Sequence, residues 1–329
     1  MIVMTKMKFL CSLALIAVAT TALAQSEKEK KTKYEFVKTK SVNKTYTVSA
    51  TDKLNITNSF GTVEVHTWNK NEIKVDVSIE VSSNKEAFAQ KIIDGITVSN
   101  SQGGNEITFK TKMEGNNNSK GEKSSMSVDY SVYMPESNPL KLSNEFGATI
   151  VPDMKGTVEL TSKFGSLITG VLSDVKRINV EFGSTTIESI NNGDVHVSYS
   201  KATLQKVSGN VKLNFDFCGG VKVNLDNSLT GLELNSSYST INLRPSANLS
   251  ANYVVNTSFG SFKNRSGIKF DSDKDDEDGP KFDFRYEGKS GNGSVPIKIN
   301  DSFGKIILGD ASQEDMDEEK TKNKKRKTS

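Results

Sequence analysis

Between Pro135 and Gly309 apolar and polar residues alternate with a period of two. Ile178, Val180 and Phe182 alternate with Asn179 and Glu181; Val195, Val197 and Tyr199 with His196 and Ser198. Val211, Leu213, Phe215 and Phe217 alternate with Lys212, Asn214 and Asp216, and Leu232 and Leu234 lead in the same phase to Tyr238. Successive side chains of a strand point to opposite sides, so this pattern predicts strands with one buried face. Clusters such as Asn191-Asn192-Gly193 and Ser208-Gly209-Asn210 separate the runs and read as turns. No stretch of this region carries a helical period.

A short phrase recurs through the chain. It reads Asn58-Ser59-Phe60-Gly61, Asn144-Glu145-Phe146-Gly147, Ser162-Lys163-Phe164-Gly165, Val180-Glu181-Phe182-Gly183 and Val197-Ser198-Tyr199-Ser200. It continues as Phe215-Asp216-Phe217-Cys218, Ser236-Ser237-Tyr238-Ser239, Thr257-Ser258-Phe259-Gly260 and Asp301-Ser302-Phe303-Gly304. From Phe146 the aromatic steps are 18, 18, 17, 18, 21 and 21 residues. Two strands and two turns fit that length, which predicts an all-β, single-chain β-solenoid whose coils stack in register at roughly 4.8 Å. Phe146, Phe164, Phe182, Tyr199, Phe217, Tyr238, Phe259 and Phe303 are then expected to form an interior aromatic ladder that pins the register. The small residue after each ring leaves room for the chain to bend. Cys218 occupies that position, which favours a structural thiol. The other fold compatible with the strands is a β-sandwich, which leaves the near-constant period unexplained.

Residues 34–140 are less regular and read as an N-terminal cap with irregular first coils, since an open solenoid end would expose unpaired backbone. Strands are expected near 44–49, 53–57, 61–67, 72–81, 126–134 and 140–142. One short helix is expected over 84–94, capped by Asn84, with Ala87, Phe88, Ile92 and the stem of Lys91 on its inner face. Residues 141–309 form the regular solenoid, with an acidic insertion near 271–280 that accounts for the 44-residue step from Phe259 to Phe303. Residues 25–33 and 310–329 are charged and expected to be disordered.

The first 24 residues are an address. Lys6 and Lys8 precede an apolar run from Phe9 to Ala19, and Ala22-Leu23-Ala24 matches a signal-peptidase site before Gln25. The run is short for a membrane span. Cys11 lies before most of the apolar core, the wrong side for a lipoprotein cysteine. Cleavage removes two lysines and no acids, leaving 41 basic side chains against 40 acidic ones and a single cysteine, Cys218. The chain is expected in the periplasm, at the outer-membrane surface or outside the cell.

Composition narrows the classes further. The hydrophobic share is 35%, against a usual value of about 45–50%, which argues against a large helical core. A net charge of +3 is too small for a nucleic-acid binder. Two histidines and two cysteines leave little material for a catalytic metal site or a disulfide framework.

The phrases Asn58-Ser59-Phe60-Gly61-Thr62-Val63-Glu64-Val65 and Val128-Asp129-Tyr130-Ser131-Val132-Tyr133-Met134-Pro135, followed by the Phe-Gly coils, resemble the bacterial adhesin-like DUF4097 family of exported β-strand-repeat proteins. The resemblance covers roughly residues 40–308. It implies an envelope or surface protein of adhesin-like architecture and supplies no catalytic residues.

No nucleophile-elbow, zinc-protease, phosphate-loop or dinucleotide motif stands in the right context. His66 and His196 read as solvated surface side chains. Glu145, Glu181 and Asp216 each precede a ring and fall on the outer face, two coils apart; about 9.6 Å of rise lies near the upper end of the spacing used by inverting glycosidases. A polysaccharide-cleaving β-helix enzyme is therefore the alternative, although alternating charge up a solenoid face explains the same residues. Asp271, Asp273 and Asp275 have the spacing of calcium ligands, but Gly279 falls late for such a loop and a flexible acidic insertion explains them as well. In the tail, Glu314, Asp315, Asp317, Glu318 and Glu319 precede a basic stretch from Lys320 to Lys327 suited to weak contact with anionic headgroups. The sequence thus predicts an exported, non-enzymatic, envelope-associated interaction protein without a cofactor, binding an envelope glycan or protein and no nucleic acid.

Overall fold

In the computed structural model of the chain, the described residues are 34–114, 121–272, 282–312 and 315–316. All of them belong to one compact unit, 33–329. The leader, Asp273, Asp275 and most of the charged tail lie outside the described residues.

The chain begins with β1 (Phe36–Thr47), β2 (Lys53–Ser59), β3 (Val63–Trp68) and β4 (Glu72–Ser83). Helix α1 (Glu86–Asp94), β5 (Ile96–Gly103), β6 (Glu106–Met113) and β7 (Ser124–Pro135) follow. Strand β4 pairs antiparallel with both β1 and β7, and β5 pairs antiparallel with β6. Parallel pairing starts where β2 meets β6 and β3 meets β7. The α1 face differs from the expected one. Phe88, Ala89, Ile92 and Ile93 are buried, whereas Ala87 and Lys91 are exposed. Asn84 does not cap the helix; its side-chain oxygen accepts the Lys123 N–H at 2.9 Å and ties the helix entry to the start of β7.

From β8 (Leu140–Glu145) onward the pairing is repetitive. Strands β9 (Ala148–Val151), β10 (Met154–Lys163), β11 (Ser166–Glu181), β12 (Ser184–Ser198), β13 (Lys201–Asp216), β14 (Val221–Ser237) and β15 (Thr240–Pro245) each pair in parallel with the equivalent stretch one repeat away. One inward column shows the register: Asn58, Asn144, Ser162, Val180, Val197, Phe215 and Ser236 are successive partners. Register shifts fall between the two halves of each repeat, as at Asn191/Gly193 in β12. Leu160, Ile178, Val195, Leu213 and Leu234 are among the buried side chains that fill the interior.

The end of the molecule departs from chain order. After β16 (Ala251–Ser258), β17 (Ser261–Arg265), β18 (Phe270–Ser272) and β19 (Asp283–Lys289), the chain returns as β20 (Val295–Ser302) and β21 (Lys305–Gly309). The β20–β21 repeat lies between the β14–β15 and β16–β17 repeats and is parallel to both. The Phe259 and Phe303 repeats on either side of the expected insertion are neighbours, but in reversed order: the last repeat in sequence is next to last in space. Strand β19 then pairs antiparallel with β16, and the three-residue β18 pairs antiparallel with β19. A short edge strand offers little unpaired backbone to another chain. Asp315, expected in a solvated tail, is instead buried and ion-paired with Lys263 and with Arg265 at 3.5 Å, two cations that β17 places beside it.

The repeats close on tight corners. A Cβ added to Gly165 would stand 1.9 Å from the carbonyl oxygen of Gly147, and one on Gly183 would stand 1.9 Å from that of Gly165. Only hydrogen fits between neighbouring repeats there. Where the corner carries a serine, the side chain is used. Ser200 Oγ accepts the Gly183 N–H at 2.8 Å and donates to the Ser198 carbonyl at 2.7 Å. Cys218 does the equivalent work, with Sγ 3.3 Å from the Val197 carbonyl and its N–H donating to Ser239 Oγ at 2.9 Å; burial pushes its thiol pKa up, away from reactivity.

Asp301 lies on the inserted repeat and is buried, with Oδ1 accepting from Ser236 Oγ at 2.5 Å. Burial pushes its pKa up to about 6, opposed by hydrogen bonds from Ser236 and the Gly304 backbone.

Gly165→Ala is expected to lower unfolding stability by about 3 kcal/mol, whereas Gly219→Ala, whose Cβ would meet nothing within 4 Å, changes it by less than about 1 kcal/mol; urea melts of the two variants check this. Asp301 binds a proton more tightly folded than unfolded, so its contribution is fully present below about pH 4 and is lost as pH rises through about 6. Carboxylates held low, such as Glu181 and Glu159, act in the opposite sense at lower pH. Between about pH 5 and 7 the wild type should therefore lose about 1 kcal/mol that Asp301→Asn does not lose; chemical melts across that window read the difference.

Candidate functional site

The aromatic residues of the recurring phrase form a single stack on the outside of the molecule. Its order is Phe60, Phe146, Phe164, Phe182, Tyr199, Phe217, Tyr238, Phe303, Phe259 and Phe282. Centroids are 4.7–5.1 Å apart and ring planes lie within 15° of parallel. Nine such steps make a column about 44 Å long, set by the spacing of neighbouring strands.

The expected burial of these rings is overturned. Phe146 is 45% exposed, Tyr199 51% and Phe259 55%. The reason is in the backbone. Alternation alone would send each ring inward after Val180, Val197 or Phe215, but Phe60, Phe146, Phe164, Phe182, Tyr199, Phe217, Tyr238, Phe259 and Phe303 all have φ between 48° and 66°. A left-handed residue breaks the period-two rule and turns its Cβ out of the interior. Pairing continues through the corner nonetheless. Phe146 N–H donates to the Lys163 carbonyl at 2.9 Å and Phe164 N–H to the Glu181 carbonyl at 3.0 Å. Each such conformation costs roughly 1–3 kcal/mol for a residue with a side chain, and each offset stack returns roughly 0.5–1.5 kcal/mol.

Phe60 belongs to the recurring phrase and extends the column beyond the eight residues expected to form it. Phe282 had no signal in the sequence. It is followed by Asp283 instead of a small residue, and it reaches the column because β19 packs beside β16.

The face-to-face stacking fixes what the column can offer. Neighbours cover the faces of the eight inner rings, so the exposed surface is a row of ring edges, which carry the positive side of the aromatic quadrupole. The phenol groups of Tyr199 and Tyr238 are the hydrogen-bonding groups that the rings themselves contribute.

Beside the column, Glu145, Lys163, Glu181, Ser198 and Asp216 are successive partners in one row. Lys163 pairs with Glu181 at 3.1 Å, and His196 Nε2 lies 3.6 Å from Asp216. The Asn179 amide and Lys163 hold the Glu181 carboxyl below its ordinary pKa. A glycosidase acid needs the opposite shift, so this carboxylate is an ion-pair partner. His66 is half-buried and stacks on Tyr133 at 4.7 Å instead of standing free in solvent. Asp271 is exposed on β18; its candidate calcium partners, Asp273 and Asp275, lie outside the described residues. Among the described residues no three His, Cys, Asp or Glu side chains gather as a metal site. No helix among them is long and apolar enough to cross a membrane.

No protein-family model matches the chain, and no curated protein matches its sequence. Solved structures that align with the chain include a candidate adhesin from Bacteroides fragilis, at 10% identity and a TM-score of 0.43, over 82% of this chain and 97% of that one. A candidate cell adhesion protein from Clostridium sporogenes aligns at 13% identity and a TM-score of 0.26, over 83% and 99%. A candidate lipid-binding protein from Parabacteroides distasonis aligns at 8% identity and a TM-score of 0.35, over 82% and 97%. The DUF4097 resemblance is not carried by a family match.

The strained corners make a specific prediction. Phe182→Ala and Phe182→Gly both remove two ring contacts, but only alanine keeps the cost of a left-handed Cβ. Phe182→Gly should therefore be the more stable of the two by about 1 kcal/mol, measured by denaturant unfolding. Equal stabilities, or a more stable alanine variant, would contradict the assignment of strain to the corner.

Proposed function

We propose that the chain is an exported, adhesin-like β-solenoid protein of the bacterial envelope that acts by binding an envelope glycan or protein, not by catalysis. The single observation that carries this reading is the exposed aromatic column. A contiguous apolar stripe about 44 Å long is unusual on a protein without a partner for it. Nine backbones are held left-handed to keep it outside, and such strain is typical of functional positions. A repetitive stripe suits many weak contacts acting together, which multiply affinity without any strong single one.

The remaining elements agree. Parallel pairing at a nearly constant repeat is what a solenoid requires, and the DUF4097 resemblance implies export and adhesin-like architecture. Residues 1–24 supply the export signal, cleaved before Gln25. The basic stretch from Lys320 to Lys327 adds weak attraction to anionic lipid surfaces.

Glycine tolerates the left-handed corner, so the column can be thinned without new strain. The mature chain should be retained by purified envelope fractions, and the triple variant Phe164→Gly, Phe182→Gly, Phe217→Gly should be retained at least tenfold less while showing the same far-ultraviolet circular dichroism. Undiminished retention of that folded variant would refute the column as the binding surface.

A further inference from the structure

Resting on the binding reading above, we infer that the outer face beside the last four repeats is a platform for a neutral, polyhydroxylated ligand, a saccharide chain lying along the stack. Asn214, Asn235, Asn300 and Asn256 are successive strand partners, and their side-chain amides bond one to the next at 3.2, 2.9 and 2.9 Å. The neighbouring row toward the column is Asp216, Ser237, Ser302 and Ser258. At β19 the two rows end on Arg285 and Asp283. Here the sheet surface holds a cavity of ≈ 340 Å³, lined among others by Asn256, Ser258, Asn300, Ser302, Asp283 and Arg285. That volume lies within the range of small-molecule sites.

The hydrogen-bond inventory points to hydroxyl groups. A primary amide has two donors and two acceptor lone pairs. Asn235 spends both donors, on Asn214 and on Glu233 at 3.1 Å. Asn300 spends one donor, to Asn235, and one lone pair, to Asn256. Asn256 gives one donor to Asn300. One N–H and one lone pair thus remain on Asn300, and one N–H and two lone pairs on Asn256, both at the cavity. The ladder fixes the amide planes, so these groups are already oriented before a ligand arrives. A donor and an acceptor side by side match a pair of adjacent hydroxyls. Ser258 and Ser302 add groups that can turn to donate or accept. Phe259 and Phe303 follow those serines in the chain and border the platform with apolar ring edges suited to C–H surface.

Charge argues for a neutral ligand. Arg285 directs both Nε and Nη2 to Glu287 Oε1, at 2.8 and 2.6 Å, so its cation is already matched. The Asp216 and Asp283 carboxylates at the two ends of the serine row would repel an anion. The roughly 4.8 Å repeat of the rows is close to the rise per sugar of an extended β-linked glycan, which would let successive sugars meet successive repeats.

The test uses the mature chain in affinity electrophoresis and calorimetry with four neutral polysaccharides, dextran, laminarin, galactomannan and arabinoxylan, and with anionic polygalacturonate. At least one neutral polymer should bind, and polygalacturonate should bind more weakly. Asn256→Ala removes the end of the ladder and leaves the bonds among the other three amides. Ser258→Tyr fills the cavity and leaves every amide in place. Each should weaken binding at least tenfold, while Asn179→Ala, on the outer face of the charge-paired half, should leave it unchanged. Binding to none of the neutral polymers, wild-type affinity in either Asn256→Ala or Ser258→Tyr, or preference for polygalacturonate overturns the platform. Wild-type retention on envelope fractions, measured in parallel, separates the two proposals: retention without neutral-polysaccharide binding sinks the platform alone, and loss of both sinks the binding reading with it.

Discussion

The left-handed backbone at each aromatic corner is the constraint on which the architecture depends. A strand that continued its pleat past Glu145, Lys163 or Glu181 would carry the next side chain inward and run straight on. The positive φ at Phe146, Phe164 and Phe182 turns the chain and puts the ring outside. It also leaves the aromatic residue's backbone N–H aimed at the next repeat, so the ladder of hydrogen bonds passes through the bend without a break. The close approach that results leaves space for a hydrogen and no more at Gly147, Gly165 and Gly183. Where Ser200, Cys218 and Ser239 replace glycine, the small polar side chain bonds the backbone it would otherwise strand. Corner, glycine and ring are one device.

Ring stacking and corner strain are opposed terms of similar size. Neither alone would keep an aromatic ring half in water at eight corners. Together they tie each ring's position to its neighbours, so the column is a collective property of the stack and not of any one repeat. The termini are handled differently. Antiparallel strands and α1 close the first end, and the β18–β19 pair closes the other. Inserting β20–β21 before β16–β17 means that the last repeat is paired on both sides. Asp301 enters the interior on that repeat between Ser236 and Thr257, in a column that is apolar only at Val180, Val197 and Phe215.

Polarity changes along the outer face. Beside the first repeats the rows are charge-paired, as in Lys141–Glu159–Lys176 and Lys163–Glu181. Exposed pairs of this kind add little stability and keep like charges from facing one another across strands. Beside the last repeats the row of Lys163 and Glu181 continues as Ser237, Ser302 and Ser258, the next row out is the asparagine ladder, and only the row beyond it stays charged, as Lys212, Glu233 and Lys298. The apolar column runs past both, so the two halves offer different surroundings to anything that lies along it.

The repeat, the strand type and the inward columns of Val, Ile and Leu were legible in the chain, because period-two alternation and a spacing of 17–21 residues are local properties. The membership of the ring stack from Phe146 to Phe303 was legible for the same reason. Its location was not. Alternation assigns Phe182 to the face of Ile178 and Val180, and only the φ of 55° reverses it, a choice made by the pairing of neighbouring repeats and not by the residue's own preference. Phe282 joined the column through Phe259, 23 residues before it, and Asn256 met Asn300, 44 residues on, across a repeat that enters out of order. The amino-acid sequence by itself determined the strands, their period and which residues are aromatic. The tertiary structure alone decided which way the rings face and which distant repeats become neighbours, because both depend on backbone hydrogen bonds between segments that no local pattern connects.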